Sequence, residues 1–126
     1  MKTAHDLVAE AKAQITEVSV EEAEQAVQQA DVVIDVREPD EYQAGHLPGA
    51  INIPRGMLEF RLSNDTALSA RDLNLVLYCK TSGRAALSAL SLKNMGYLHV
   101  RSIAGGFDAW AEADKPVVQP QMPDFE

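Results

Sequence analysis

Leu75-Val76-Leu77-Tyr78-Cys79-Lys80-Thr81-Ser82-Gly83-Arg84-Ala85-Ala86-Leu87 is the stretch whose reading decides the fold. Its first four residues form a short unbroken run, β-prone at Val76 and Tyr78, as in a strand buried on both faces. A helical pattern follows. Ala86, Leu87, Leu90 and Asn94 recur three or four apart, and Gly96 stands where such a helix would stop. Between strand and helix lie Cys79 and a small polar turn closed by Arg84. A thiol placed there sits at the carboxyl end of a strand and just before a helix N-terminus. Unpaired N–H groups and the positive end of the helix dipole meet at that point. Surroundings of this kind favour a thiolate and cradle an anion.

Working outward, the second clear strand is Asp31-Val32-Val33-Ile34-Asp35-Val36, β-branched throughout and unbroken. Leu98 to Ile103 reads as the last strand, Ala50 to Ile53 as a short one closed by Pro54, and Val18-Ser19 as a very short one. Helices are expected from Thr3 to about Glu17, with Thr3 and Asp6 as a capping box and Leu7, Val8, Ala11 and Ile15 on one face. A second capping box at Ser19–Glu22 opens a helix through Ala30. Pro39 suits the first turn of a short helix ended by Gly45. Met57–Leu62 and Phe107–Ala111 read as helical, Ser63–Asp72 as a polar loop, His46–Gly49 and Gly105-Gly106 as turns. From Lys115 onward, Pro116, Pro120 and Pro123 predict an extended tail. The implied division is a helical extension over 1–17, one domain over 18–117, and a tail over 118–126.

Strands alternating with helices specify an α/β fold, a parallel sheet covered on both faces. Ligands in such sheets bind beyond the carboxyl ends of the strands. Asp35 and Cys79 therefore belong to the same rim. The 126 residues suffice for one core and not for two. A net charge of −8 argues against a nucleic-acid surface, and no apolar run approaches the length of a membrane span. Met1–Asp6 carries an early acid and no apolar segment, so no secretory leader is expected. Cys79 is the only cysteine, which rules out an internal disulfide or a cysteine-based metal cluster and suits a reducing cytoplasm.

Four motifs in order carry a resemblance: Asp35-Val36-Arg37-Glu38-Pro39-Asp40-Glu41-Tyr42; Gly45-His46-Leu47-Pro48-Gly49-Ala50; Tyr78-Cys79 with its loop to Arg84; and Gly105-Gly106-Phe107 with Trp110. Together they resemble the rhodanese-like (sulfurtransferase) family from about Val18 to Val117. The resemblance implies a five-stranded parallel sheet with helices on both faces, and a loop of Lys80, Thr81, Ser82, Gly83 and Arg84 cradling a persulfide on a catalytic Cys79. It implies a double displacement, in which a small anionic donor such as thiosulfate loads Cys79 and a thiol, protein thiol or cyanide removes the sulfur. No cofactor or metal is expected. With one cysteine in the chain, no internal thiol can strip the sulfur as a disulfide, so release needs an external acceptor. Many members carry glycine where Ser82 stands; a left-handed backbone there would cost serine about 1 kcal/mol or more.

The remaining polar residues have plainer readings beside the functional ones. Asp35 and Arg37 are supporting residues: Asp35 accepts loop N–H bonds or caps its strand, and Arg37 pairs with Glu41 four positions on. Lys80 and Arg84 attract an anion or stand solvated, with Arg84, which closes the turn, favoured for loop order or anion contact. His46 belongs to a structural turn, while Arg55 and Arg61 are solvated more readily than pocket-lining. Two alternatives to the enzyme stay open: a binding or sulfur-relay module that keeps the fold, and a cysteine phosphatase or arsenate reductase. The related phosphatases have one more residue in the loop than Cys79–Arg84 provides, which disfavours that chemistry.

Overall fold

The computed structural model describes residues 1–120. In chain order the elements are α1 (Ala4–Lys12), β1 (Thr16–Val18), α2 (Val20–Gln29), β2 (Val32–Asp35), α3 (Pro39–Ala44), β3 (Ile51–Asn52), α4 (Leu58–Asn64), β4 (Asn74–Tyr78), α5 (Gly83–Asn94), β5 (His99–Ile103) and α6 (Gly106–Glu112). The five strands form one parallel sheet in the order β1-β5-β4-β2-β3. The family-level expectation of a five-stranded parallel sheet between helices is met.

Alternation along β4 shows how two cores arise from one run. Leu75, Leu77 and then Cys79 face one side, packing with Leu58 and Leu62 of α4 and Ala85, Ala89 and Leu92 of α5. Val76 and Tyr78 face the other, with Ala23 and Ala26 of α2 and Trp110 of α6. Side chains of period two, covered on both faces, account for the continuous apolar character of the strand. α1 lies outside this sandwich and packs on α5. From β2 the chain moves outward to β3, and from β4 it moves the opposite way to β5. The crevice beyond the carboxyl ends of β2 and β4 is therefore the topological switch point, where α/β sheets open a site.

Local departures from expectation have local causes. The Thr3–Asp6 capping box forms, each backbone N–H bonding the other side chain at 2.9 and 3.1 Å. α1, however, ends at Lys12 rather than near Glu17, because β-branched Ile15, Thr16 and Val18 do better against β5 and the core than in another helical turn. The short strand is thus Thr16–Val18 rather than Val18-Ser19. At Ser19 no box forms: the hydroxyl bonds the Glu22 carboxylate at 3.0 Å instead of capping a helix N–H. The Ser63–Asp72 segment contains the end of α4 and a 3₁₀ turn over Thr66–Leu68, which buries Leu68. Gly96, with φ +98°, stops α5 where expected. Val118 makes an antiparallel bridge to His46, through bonds of 2.9 and 2.8 Å. Of the tail expected over 118–126, residues 121–126 lie outside the described residues.

Candidate active site

Beyond Tyr78 the chain leaves the sheet and turns through Cys79–Ser82 into α5. The turn is held from behind by α6. The amides of Phe107 and Asp108 donate to the carbonyls of Cys79 and Lys80 at 2.8 and 3.0 Å. Gly106, with φ +56°, is packed so closely that a Cβ there would collide with the carbonyl oxygens of Cys79, Lys80 and Thr81. Three successive carbonyls therefore face α6. Among the described residues no peptide is cis, and in a trans peptide the N–H points opposite to the C=O. The N–H groups of Lys80, Thr81 and Ser82 consequently point away from α6, into the crevice.

Among the described residues those amides have no protein acceptor. Among the described residues, none of the backbone N–H groups of Lys80, Thr81, Ser82, Gly83 and Arg84 is hydrogen-bonded within the chain, whereas Ala86 N–H closes onto Ser82 O at 2.9 Å. The amide of Ala85 donates to Cys79 Sγ at 3.3 Å. Cys79 as a residue is only 1% exposed and belongs to the apolar cluster under α5. Cys79 thus lies at the floor of a bowl of amides, deeper than a rim position suggests, with one amide already on its sulfur. Ser82 has φ −151°, so no left-handed backbone is required and the cost of serine expected on that ground does not arise.

Each cation near the bowl is engaged. Arg84 donates to both Glu41 oxygens at 2.7 and 3.1 Å, tying α5 to α3. This bond, chiefly, holds the Glu41 carboxyl down at about 2 and raises Arg84 further. Lys80 Nζ lies 2.7 Å from Asp108. Arg37 is buried and clamps buried Asp35 through its backbone N–H, Nε and Nη2, then reaches Gly45 O at 2.6 Å. Its guanidinium stacks 4.4 Å from the Phe107 ring and 5.6 Å from that of Tyr78. Burial works against that charge, and the bond and charge of Asp35, joined by Tyr78 and Glu41, more than restore it. One expectation is settled here and another corrected. Of its two readings Asp35 takes the strand-end cap, accepting the Arg37 backbone N–H and guanidinium, and among the described residues it accepts from no loop amide. Arg37 pairs with Asp35, leaving Glu41 to Arg84.

The family model for the rhodanese-like domain matches residues 19–113. The chain belongs to the rhodanese-like family. A sulfurtransferase from Allochromatium vinosum is 30% identical over 90 residues, which cover 71% of this chain and 80% of that protein. Among solved structures, a protein of unknown function and possible tyrosine phosphatase from Rhodopseudomonas palustris superposes with TM-score 0.85 at 29% identity, covering 94% of this chain and 96% of the other. A rhodanese from E. coli solved with anions gives TM-score 0.61 at 35% identity, covering 71% and 98%. Sulfurtransferases are thus among the relatives of this rhodanese-like domain.

Other polar residues of the rhodanese-like domain take structural places. His46 stacks on Tyr42 at 3.8 Å with Nδ1 3.1 Å from Tyr42 O. Arg55 pairs with Glu59, which also accepts from Ser91 of α5, and Arg61 pairs with Asp65. Sequence reasoning missed Asn52, whose Nδ2 donates to the carbonyls of Asp35 and Arg37 and fixes the corner beyond β2. It also missed Asp108 as the partner of Lys80. Nothing in local spacing signals either one.

Proposed function

We propose that this rhodanese-like domain is a sulfurtransferase that carries a sulfane sulfur as a persulfide on Cys79. The observation that supports the reading is the bowl: five successive amides, Lys80 to Arg84, without an acceptor among the described residues, next to a thiol that already receives the amide of Ala85. An outer persulfide sulfur, or the anionic group of a donor, supplies the acceptor those amides lack. Backbone donors stabilise charge on sulfur without delivering a proton to it.

In the loading step the Cys79 thiolate attacks the outer sulfur of the donor. With thiosulfate, the new bond is Sγ–S, the S–S bond of the donor breaks, and sulfite leaves with the bonding pair. With an alkyl persulfide, a thiolate leaves instead. In the unloading step an external thiolate, on a small molecule or a protein, or cyanide attacks the outer sulfur and Cys79 thiolate leaves. No net oxidation occurs and no cofactor takes part. The setting is a reducing compartment, the cytoplasm, where a lone thiol stays free. Cys79 is the nucleophile, Lys80–Arg84 form the cradle, and Asp35 with Arg37 positions the end of β2 beside it.

Phosphatase chemistry has less support. Arg84 is held by both Glu41 oxygens and faces α3, and the loop is one residue shorter than the phosphatase pattern that the rhodanese-like family resembles. The test is intact mass after incubation with thiosulfate or with glutathione persulfide. Wild type should gain one sulfur atom, lost again on adding cyanide, and Cys79→Ser should gain none. No gain from either donor would overturn the reading in favour of a binding module. Hydrolysis of an aryl phosphate with no gain of sulfur would overturn it in favour of a phosphatase.

A further inference from the structure

Around the carboxyl rim of β2, β3 and β4 stand four cations: Arg37, Arg55, Lys80 and Arg84. Every one of them is bonded to a carboxylate, respectively Asp35, Glu59, Asp108 and Glu41, at 2.7 Å in each case. Glu38 and Asp40, at the start of α3, add two carboxylates that meet no cation among the described residues. The rim therefore carries an excess of negative charge, on a chain whose net charge is −8. The bowl attracts an anion through its amides alone, whose dipoles act at short range, while the ionised side chains act at longer range and oppose a multiply charged one.

We infer that Glu41 and Asp108 are specificity-determining residues, which by neutralising Arg84 and Lys80 set the site for sulfur donors of low net charge. On this inference, which rests on the sulfurtransferase reading, a zwitterionic alkyl persulfide is favoured over a dianion such as thiosulfate. Both pairs lie at the mouth rather than the floor. Glu41 ties the last residue of the loop to α3, and Asp108 ties the first residue after Cys79 to α6. Lys80 and Asp108 side chains are 60% and 40% exposed, so their charges stand in solvent, with Lys80 one residue from Cys79 along the chain, and act on a donor through water. Removing either carboxylate releases a cation at the entrance and changes the local charge by one. A dianion feels that change twice over, and a donor of zero net charge hardly at all.

The experiment compares initial rates of persulfide formation, by intact mass, from thiosulfate and from cysteamine persulfide, whose ammonium offsets the charge on its sulfur. Because the two donors differ in intrinsic reactivity, the readout is their rate ratio in wild type, Glu41→Gln and Asp108→Asn. Each substitution should raise the thiosulfate-to-cysteamine-persulfide ratio about fivefold at low ionic strength, with the gain shrinking toward parity in 0.5 M salt, where the screening length is only about 4 Å. Asp108→Asn, on an exposed pair, guards against a folding defect in Glu41→Gln. Ratios unchanged within about twofold in both variants, or moved the opposite way, would overturn the inference and leave the sulfurtransferase standing. Absence of persulfide from both donors in wild type would instead overturn the sulfurtransferase reading itself and this inference with it.

Discussion

Gly106→Ala should destabilise this domain severely although it adds a single methyl group. The position has φ +56° and its missing Cβ would run into three carbonyl oxygens of the loop. A left-handed alanine costs about 1 kcal/mol. Relieving the collision moves the loop off α6 and breaks the Phe107–Cys79 and Asp108–Lys80 backbone bonds, worth about 1 kcal/mol each, with a further cost for carbonyls left buried and unpaired. The total is about 3–4 kcal/mol. With a urea dependence of about 2 kcal/mol per molar for a domain of this size, the midpoint should fall by nearly 2 M. Gly83→Ala supplies the contrast, since its φ is not left-handed and its Cβ would meet only Val8 Cγ2 at 3.6 Å; its stability should stay within about 0.5 kcal/mol of wild type. Urea unfolding followed by tryptophan fluorescence reads both. A Gly106→Ala midpoint within about 0.3 M of wild type would refute the convergence of the three carbonyls, and with it the outward direction of the loop amides.

Two further outcomes are expected. Arg37→Leu leaves Asp35 as a buried, uncompensated carboxylate and should lower unfolding free energy by about 3–5 kcal/mol; the added change Asp35→Leu should recover part of that loss, measured by the same urea titration. For Glu41, whose folded value of about 2 lies below the ordinary 4.5, the Arg84 bond contributes stability above pH 4.5 and loses it as pH falls toward 2. The stability gap between wild type and Glu41→Gln, about 1 kcal/mol after allowance for solvent screening of this partly exposed pair, should therefore be constant above pH 5 and close between pH 4.5 and 2.

Sequence and structure agree most closely where one short segment carries its own instructions. Leu75–Tyr78 is apolar on both faces, Gly96 allows the left-handed stop, and between them the turn has few ways to run. The β2 corner is nearly as explicit, since Pro39 and Gly45 bound α3. What the sequence leaves unstated is which charge meets which. Glu41 stands four residues after Arg37, a helical spacing that suggests a pair, but Arg37 folds back on Asp35 before α3 begins and Glu41 is left facing α5. The partner of Glu41 is 43 residues away, and that of Lys80 is 28 away. Such contacts are products of tertiary packing, invisible to periodicity. The end of α1 was obscured for a related reason: apolar spacing through Ile15 is helical, and only the presence of β5 makes Thr16–Val18 a strand. The depth of Cys79 follows from alternation, because it continues the series Leu75, Leu77 toward the core under α5.

The sheet has its two shortest members outermost. β1 has three residues and β3 two, against five in each of β4 and β5. A border strand offers its free N–H and C=O groups to any extended peptide that comes alongside, and the hold grows with every residue of overlap. Here a visiting strand finds two or three residues to grip at either margin. Neighbouring copies therefore gain little by zipping together, and the unit can be strung beside other folded modules on one polypeptide without its borders fusing to theirs.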